Sequence, residues 1–228
     1  MESALYIVST PIGNLKDITL RAIEVLKDID FVACEDTRVT SFLLSQYEIK
    51  KELISLNAVN ENKKLDYVLS RIEHGESCAL CSDAGTPGIS DPGVRLISAA
   101  IRRQLTVIPI PGVTAAIAAI SASGLPTDSF LFEGFLPQKK GRQKKLKELS
   151  EIDKTIILYE STYRIEKLLE ELNEHMPHRQ ITVARELTKK FEEFWRGKPG
   201  DLLEQLKDRT TKGEFVVIIS PLSWREHI

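Results

Sequence analysis

The sequence predicts an α/β protein of two domains, and three observations carry that expectation. Short, continuous apolar runs alternate with segments whose apolar residues recur at helical spacing, the pattern of strands covered on both faces by helices. The early runs end in loops rich in glycine, proline or carboxylates, which mark where strands turn toward helices. The regular strand-helix order gives way near residue 111, so the chain divides into 1–111 and 112–228. Its 228 residues, 42% hydrophobic and 28% charged, suffice for a substantial core and exclude a disordered chain. No apolar run approaches the roughly 18 residues of a membrane span, and Met1-Glu2-Ser3 leads into a strand without a signal-peptide pattern, so a cytoplasmic protein is expected. A net charge of −2 offers no global field for a polyanion. Any contact with nucleic acid therefore needs a local patch.

Ala4-Leu5-Tyr6-Ile7-Val8-Ser9 reads as the first strand, broken by Thr10-Pro11-Ile12-Gly13-Asn14-Leu15. Ile18, Ala22, Ile23, Leu26 and Ile29 then fall on one helical stripe, with Asp17 available as a cap. Phe31-Val32-Ala33-Cys34 is a second strand ending in Glu35-Asp36-Thr37-Arg38, where adjacent carboxylates suit either a solvated turn or a site. Leu53-Ile54-Ser55-Leu56 is a third, followed by a helix carrying Leu65, Val68, Leu69 and Ile72 and stopped by Gly75. Ser77-Cys78-Ala79-Leu80 is the fourth. Cys34, Cys78 and Cys81 are too few for a disulfide framework, and the C-x-x-C lies on a strand, where residues three apart face opposite sides; buried thiols are expected.

The chain is organised around the next loop, Cys81-Ser82-Asp83-Ala84-Gly85-Thr86-Pro87-Gly88-Ile89-Ser90-Asp91-Pro92-Gly93. Its glycines and prolines let backbone turn sharply and approach a ligand closely. Asp91 and Pro92 read as the N-cap and first position of the helix beginning at Val94. Such length at a strand's carboxyl end marks a ligand site rather than a plain turn. One glycine after the first strand is not a G-x-G-x-x-G, and no Walker-type loop occurs. The central loop holds no lysine or arginine before Arg95, whereas a phosphate site would want one beside its N–H groups. With Asp83, Asp91, Glu35 and Asp36 near by, a neutral or cationic ligand is favoured, and S-adenosylmethionine is one.

Thr106-Val107-Ile108-Pro109-Ile110 makes another strand, and Pro111-Gly112-Val113-Thr114 leads into a small-residue helix starting at Ala115 and closed by Ser123-Gly124. Phe130-Leu131-Phe132-Glu133-Gly134-Phe135 restarts the sheet. The 139–147 run that follows carries six positive side chains and no acid, which suits a solvated helix face or phosphate contacts equally. Thr155-Ile156-Ile157-Leu158-Tyr159 is a strand; the helix after it carries Ile165, Leu168, Leu169 and Leu172 and ends before Pro177. Ile181-Thr182-Val183-Ala184, Glu193-Phe194-Trp195-Arg196-Gly197 and Phe215-Val216-Val217-Ile218-Ile219 are further strands around a short helix from Asp201 to Lys207. His74, His175, His178 and His227 form no metal set, and His175 and His178 are expected in solvent.

Several of these stretches together resemble one family. They are residues 10–22 from Thr10-Pro11-Ile12-Gly13 onward, Glu35-Asp36-Thr37-Arg38, the loop from Ser82 to Gly93, Phe132-Glu133-Gly134-Phe135-Leu136-Pro137 and Ala184-Arg185-Glu186-Leu187-Thr188-Lys189. In that order they resemble the ribosomal RNA small subunit methyltransferase I family of the tetrapyrrole methylase superfamily, over nearly the whole chain. The resemblance implies two α/β domains of the tetrapyrrole methylase type with the cofactor cleft between them. It also implies a homodimer that methylates the ribose 2′-oxygen of a cytidine in small-subunit ribosomal RNA, within the small ribosomal subunit, using S-adenosylmethionine. Carried over by motif, the cofactor meets Ile12, Gly13, Ser82, Asp83, Ala84, Gly85, Thr114 and Ala115, with Tyr159 and Ala184 from the second domain. From their place at a strand end, rather than from the resemblance, Glu35 or Asp36 is expected to take the hydroxyl proton or orient the ribose, with Arg38 holding phosphate. Lys139, Lys140, Arg142, Lys144 and Lys145 would contact the RNA backbone.

Three features depart from the family pattern. Leu56-Asn57-Ala58-Val59-Asn60-Glu61 stands where the family reads Tyr-His-Glu-His-Asn-Glu, and Glu160-Ser161-Thr162-Tyr163-Arg164 stands where it reads Glu-Ser-Pro-His-Arg. The sequence also stops soon after Ile219, where many relatives continue. Two other readings stay open at this point: a methyltransferase of a tetrapyrrole precursor, which would share the cofactor loops, and a non-catalytic RNA-binding module.

Overall fold

The computed structural model describes residues 1–56 and 61–225, so the departure at 57–60 and His227 lie outside the described residues. Contacts divide the chain into two units, Met1–Thr114 and Ala115–Ile228. In the first, strands β1 (Leu5–Val8), β2 (Phe31–Cys34), β3 (Glu52–Ser55), β4 (Cys78–Cys81) and β5 (Val107–Ile110) form a parallel sheet in the order β3-β2-β4-β1-β5. Parallel neighbours need crossovers, and helices α1 (Leu20–Asp28), α2 (Thr37–Ser45), α3 (Glu61–Glu73) and α4 (Val94–Arg102) supply them. Two cores result. Tyr6, Val8, Val32, Cys34, Ala79 and Cys81 pack with Ala22, Val25, Leu26 and Leu44 of α1 and α2. Leu5, Ile7, Phe31, Ala33, Cys78 and Leu80 pack on the other face with Val68, Leu69, Leu96 and Ala99 of α3 and α4. Cys78 and Cys81 thus face opposite ways and both are buried, as the strand reading predicts; burial pushes the Cys81 thiol up to about 12 and leaves it unreactive.

Local capping differs from expectation at three places. Thr19, not Asp17, caps α1, its side chain accepting from the Ala22 N–H. Helix α2 escaped the sequence reading, and Asp36 is its N-cap, accepting from the Arg38 N–H. At α4 the cap is Gly93, with φ 132°, and neither Asp91 nor Pro92 enters the helix. The chain must turn there hard against Leu80, whose Cδ2 would lie 2.9 Å from any Cβ at Gly93. Glycine is the residue that tolerates both conditions.

The second unit opens with α5 (Ala115–Ser121) and builds its own sheet instead of extending the first. Strands β6 (Phe130–Phe135), β7 (Thr155–Ser161), β8 (Ile181–Arg185), β9 (Glu193–Gly197) and β10 (Glu214–Ile219) take the order β6-β7-β10-β8-β9, parallel only between β6 and β7. One face packs Ile156, Leu158, Val183, Trp195, Phe215 and Val217 against α6 (Arg142–Ser150), α7 (Ile165–His175) and α8 (Pro199–Leu206) through Leu146, Leu149, Leu168, Leu169, Leu172 and Leu202. The opposite face meets α5, where the Thr182 hydroxyl donates to the Ser123 carbonyl and the Ala116 N–H donates to the Tyr159 hydroxyl oxygen. Among the described residues no helix is long and apolar enough to cross a membrane. His178 is exposed, while His175 is half-buried and bonds Gln143 at 2.8 Å.

Arg142, counted in the sequence with the basic run, is only 4% exposed. Its Nε bonds both Glu171 carboxylate oxygens at 3.0 and 2.8 Å, and its Nη2 lies 2.6 Å from Glu171 and 3.6 Å from Glu160. A guanidinium so enclosed serves the packing of α6 on α7 and does not present its charge to a polyanion. Removing one partner of such a pair strands a charge in the core, at a cost of about 3–5 kcal/mol. Glu171→Ala is therefore expected to lower unfolding free energy by about that amount in urea titration, while Glu174→Ala, on the exposed side of α7, leaves it within about 0.5 kcal/mol of wild type.

Candidate functional site

In the first sheet the connection after β1 runs toward β2 and that after β4 runs toward β5, so the crossovers leave adjacent strands in opposite directions. Their carboxyl ends therefore splay the following loops apart, and α/β sheets take ligands in that gap. The loops are nevertheless tied. The Thr10 N–H donates to the Gly85 carbonyl at 2.8 Å and the Gly85 N–H returns to the Thr10 carbonyl at 3.0 Å, an antiparallel bridge between chain segments that follow parallel strands. The Thr10 hydroxyl donates to the Ser82 carbonyl at 3.2 Å, closing the base of the central loop. Gly85 has φ 85°, and a Cβ there would meet Ile12 Cγ2 at 3.4 Å, so this backbone lies flat against the first loop.

The third loop joins through hydroxyls. Thr86 Oγ1 donates to the Val113 carbonyl at 3.2 Å and therefore accepts from Ser9 Oγ, 2.9 Å away. Gly112 passes so near β1 that a Cβ would stand 2.6 Å from that of Ser9. Ser9, Thr86 and Gly112 were not singled out from the sequence. The Pro-Gly dipeptide signals a turn but cannot reveal which strand it touches.

The carboxylates lie at the same end. The Asp36 N–H donates to Asp83 Oδ1 at 3.1 Å, and Ser55 Oγ donates to the Glu35 carbonyl at 3.2 Å, so the end of β2 is pinned from both sides. Burial raises the Glu35 pKa, and the nearby charges of Asp83, Asp91 and Asp36 raise it further. Asp91 is raised too, first by burial and then by Asp83, with Ser82 opposing. Asp36 goes the other way: hydrogen bonds from the Arg38 side chain and backbone hold it at about 2. Two neighbouring carboxylates are thus pushed apart, one toward proton uptake and one toward permanent ionisation.

Ile12, Ser82, Gly85, Asp83, Glu35 and Asp36 are brought together in the first unit, with Gly13 and Ala84 exposed on the rims of their loops. Arg38 stands on the first turn of α2, paired with Asp36 at 2.6 Å and 89% exposed. In the second unit Tyr159 and Ala184 both pair with Val216 of β10, which aligns them in one row across three strands, on the face opposite Leu158 and Val183. Of the basic run, Lys139, Lys140 and Lys144 are exposed. Lys145 is held by Glu133 at 3.1 Å and Glu148 at 3.5 Å.

The comparisons with known proteins agree with one another. A sequence model of the Tetrapyrrole (Corrin/Porphyrin) Methylases matches residues 4–203. The chain is 48% identical to the ribosomal RNA small subunit methyltransferase I of Borrelia garinii subsp. bavariensis, across 95% of this chain and 98% of that protein. It is 47% identical to the protein of the same name from Synechocystis sp., across 95% of this chain and 78% of the other. Among solved structures a cobalt precorrin-4 methyltransferase superposes with a TM-score of 0.71 at 19% identity, covering 96% of this chain and 95% of that one, a likeness of fold.

Gly112→Ala is expected to push the 111–114 loop off β1 and break the Ser9–Thr86–Val113 chain. Its melting temperature should fall by several degrees, about 1–3 kcal/mol for forcing a backbone-anchored clash. By matched family model and relatives alike, the chain belongs to the ribosomal RNA small subunit methyltransferase I family of the tetrapyrrole (corrin/porphyrin) methylases.

Proposed function

We propose that this protein transfers a methyl group from S-adenosylmethionine to small-subunit ribosomal RNA, and that the acceptor is the ribose 2′-oxygen of a cytidine. The substrate class follows from relatives at 47–48% identity named for that activity. On the side of the molecule, the single observation that carries the reading is the tied loop end of the parallel sheet. It is glycine-lined, carries Glu35, Asp83 and Asp91, and has no lysine or arginine between Ser82 and Val94. That donor set fits the proposed cofactor: carboxylates accept hydrogen bonds from ribose hydroxyls and an ammonium, and they attract a sulfonium where a phosphate would be repelled.

When bound, the donor supplies a methyl carbon activated by a positively charged sulfur. Residues 12, 13, 82–85, 114, 115, 159 and 184 are proposed to hold it, and 1–111 and 112–228 are proposed to act as the enzyme's two domains. Positioning then accounts for much of the acceleration, because an in-line displacement depends on the alignment of three atoms. Glu35 is the proposed general base. Its raised pKa matches the proton of a weakly acidic hydroxyl better than Asp36, which is held near 2 and engaged as a helix cap. Arg38, exposed beside it, is proposed to meet phosphate. We further propose that the protein acts as a homodimer on the small subunit in the cytoplasm.

Incubation with labelled donor and small subunits lacking the modification, followed by mass-spectrometric mapping, tests the reading; label on a base, or none, contradicts it. Glu35→Gln should lower kcat by about 10²-fold or more, whereas Asp36→Asn, which keeps a capping side chain, should remain near wild type. The pH profile gives an independent test. A base with a raised pKa is inactive while protonated, so kcat/KM climbs as pH rises through a value above the ordinary glutamate range. Asp91→Asn removes a like charge and should move that acid limb to lower pH; an unmoved limb would assign the titration to another group.

A further inference from the structure

The carboxyl ends of β6 and β7 carry an aromatic and cationic cluster that the cofactor residues do not explain. Phe132 and Phe135 each meet Tyr159 edge-on, with centroids 5.1 and 5.6 Å away. Yet Phe135 keeps 51% of its surface in solvent, and Tyr163 keeps 94%. A ring so exposed gains little from folding. The Arg164 guanidinium, next in sequence to Tyr163, lies 5.9 Å over the Phe135 ring.

Arg164 is held from behind. Its Nε donates to Ser161 Oγ at 3.1 Å and lies in an ion pair 2.8 Å from Glu160 Oε1, while its terminal amino groups make no hydrogen bond among the described residues. Glu160 is itself 2% exposed and faces the buried Arg142 at 3.6 Å. A carboxylate placed so deep fixes the arginine without exposing negative charge. Lys139 and Lys140, four and five positions beyond Phe135, are exposed and form no ion pair among the described residues. The result is a pair of open rings, one fixed guanidinium and two uncompensated ammonium groups on a protein of net charge −2.

We propose that this cluster is a stacking platform for a single-stranded stretch of the RNA substrate, with bases on Phe135 and Tyr163 and phosphates on Arg164, Lys139 and Lys140. It rests on the reading of the protein as an RNA methyltransferase and adds where unpaired nucleotides are gripped. Aromatic faces beside positive charge are how proteins hold single strands without reading sequence. They suit unpaired loops and bulges, whose unstacked bases are open to aromatic side chains. Arg142 and Glu160 are positioning residues in this arrangement.

The probe is a fluorescein-labelled oligocytidylate of about 12 nucleotides, followed by anisotropy across a salt series. Tyr163→Ala and Phe135→Leu should each weaken binding about tenfold with the salt slope unchanged, and Tyr163→Phe should bind as wild type. Lys139→Gln with Lys140→Gln should instead flatten the slope by about 1.4, two phosphates at roughly 0.7 each. Phe135→Leu preserves apolar contact with Tyr159, and Tyr163 is 94% exposed, so loss of fold does not confuse the result. A wild type that ignores the oligonucleotide, or aromatic variants that bind as tightly as wild type, overturns the platform. Methyl transfer to undermodified subunits by the same preparations separates the two ideas. Transfer by wild type with ring-independent RNA affinity removes the platform alone, and absence of transfer removes the underlying reading.

Discussion

Two backbone hydrogen bonds between Thr10 and Gly85 are the constraint on which the first unit's functional end depends. Parallel strands β1 and β4 would otherwise send their loops apart, each free to adopt its own shape. The reciprocal pair locks them at one register, and the Thr10 hydroxyl adds a third tie to Ser82. Once the loops are fixed, Ile12 lies against Gly85 and Thr86 is set to bridge Ser9 and Val113. These are neutral, backbone-rich interactions. They leave Asp83 and Asp91 as the only charges of the central loop, and burial first, then the like charges around them, pushes Glu35 and Asp91 toward protonation.

The second unit treats charge differently. Glu171, Arg142, Glu160 and Arg164 form a chain in that order, so a buried pair between α6 and α7 leads to an arginine beside an exposed ring. Burying ions for stability alone is a poor bargain against apolar packing. Here the same ions orient a surface group, and that use gives the burial a purpose. Lys145, tied to Glu133 and Glu148, is another charge that helps to settle α6 on its own sheet.

Most of the fold was legible because its signals are local. The buried parallel strands announce themselves as unbroken apolar runs, and the glycines and prolines of the 82–93 loop mark where backbone must turn. Helix α2 was not legible: Thr37, Val39 and Thr40 are β-branched, and its buried leucines, Leu43 and Leu44, come only in the last turn. Asp36 and Asp91 show how alike a cap and a site carboxylate look in one dimension. Asp36 proved to cap a helix, while Asp91, beside a proline at a helix start, does not. Arg142 could be removed from the basic patch only by seeing Glu171, 29 positions away, close on it. Tyr163 was noticed as a departure from the family pattern; its exposure gives it a role.

The central claim is electrostatic: a sheet end lined by glycine and carboxylates accepts a cationic methyl donor and rejects a phosphorylated nucleotide. Isothermal titration calorimetry on the intact protein tests it directly. Saturable heat with S-adenosylmethionine and with its demethylated product, alongside none with a nucleoside triphosphate, is the predicted outcome. Silence from the first two and clear binding of the triphosphate would contradict it.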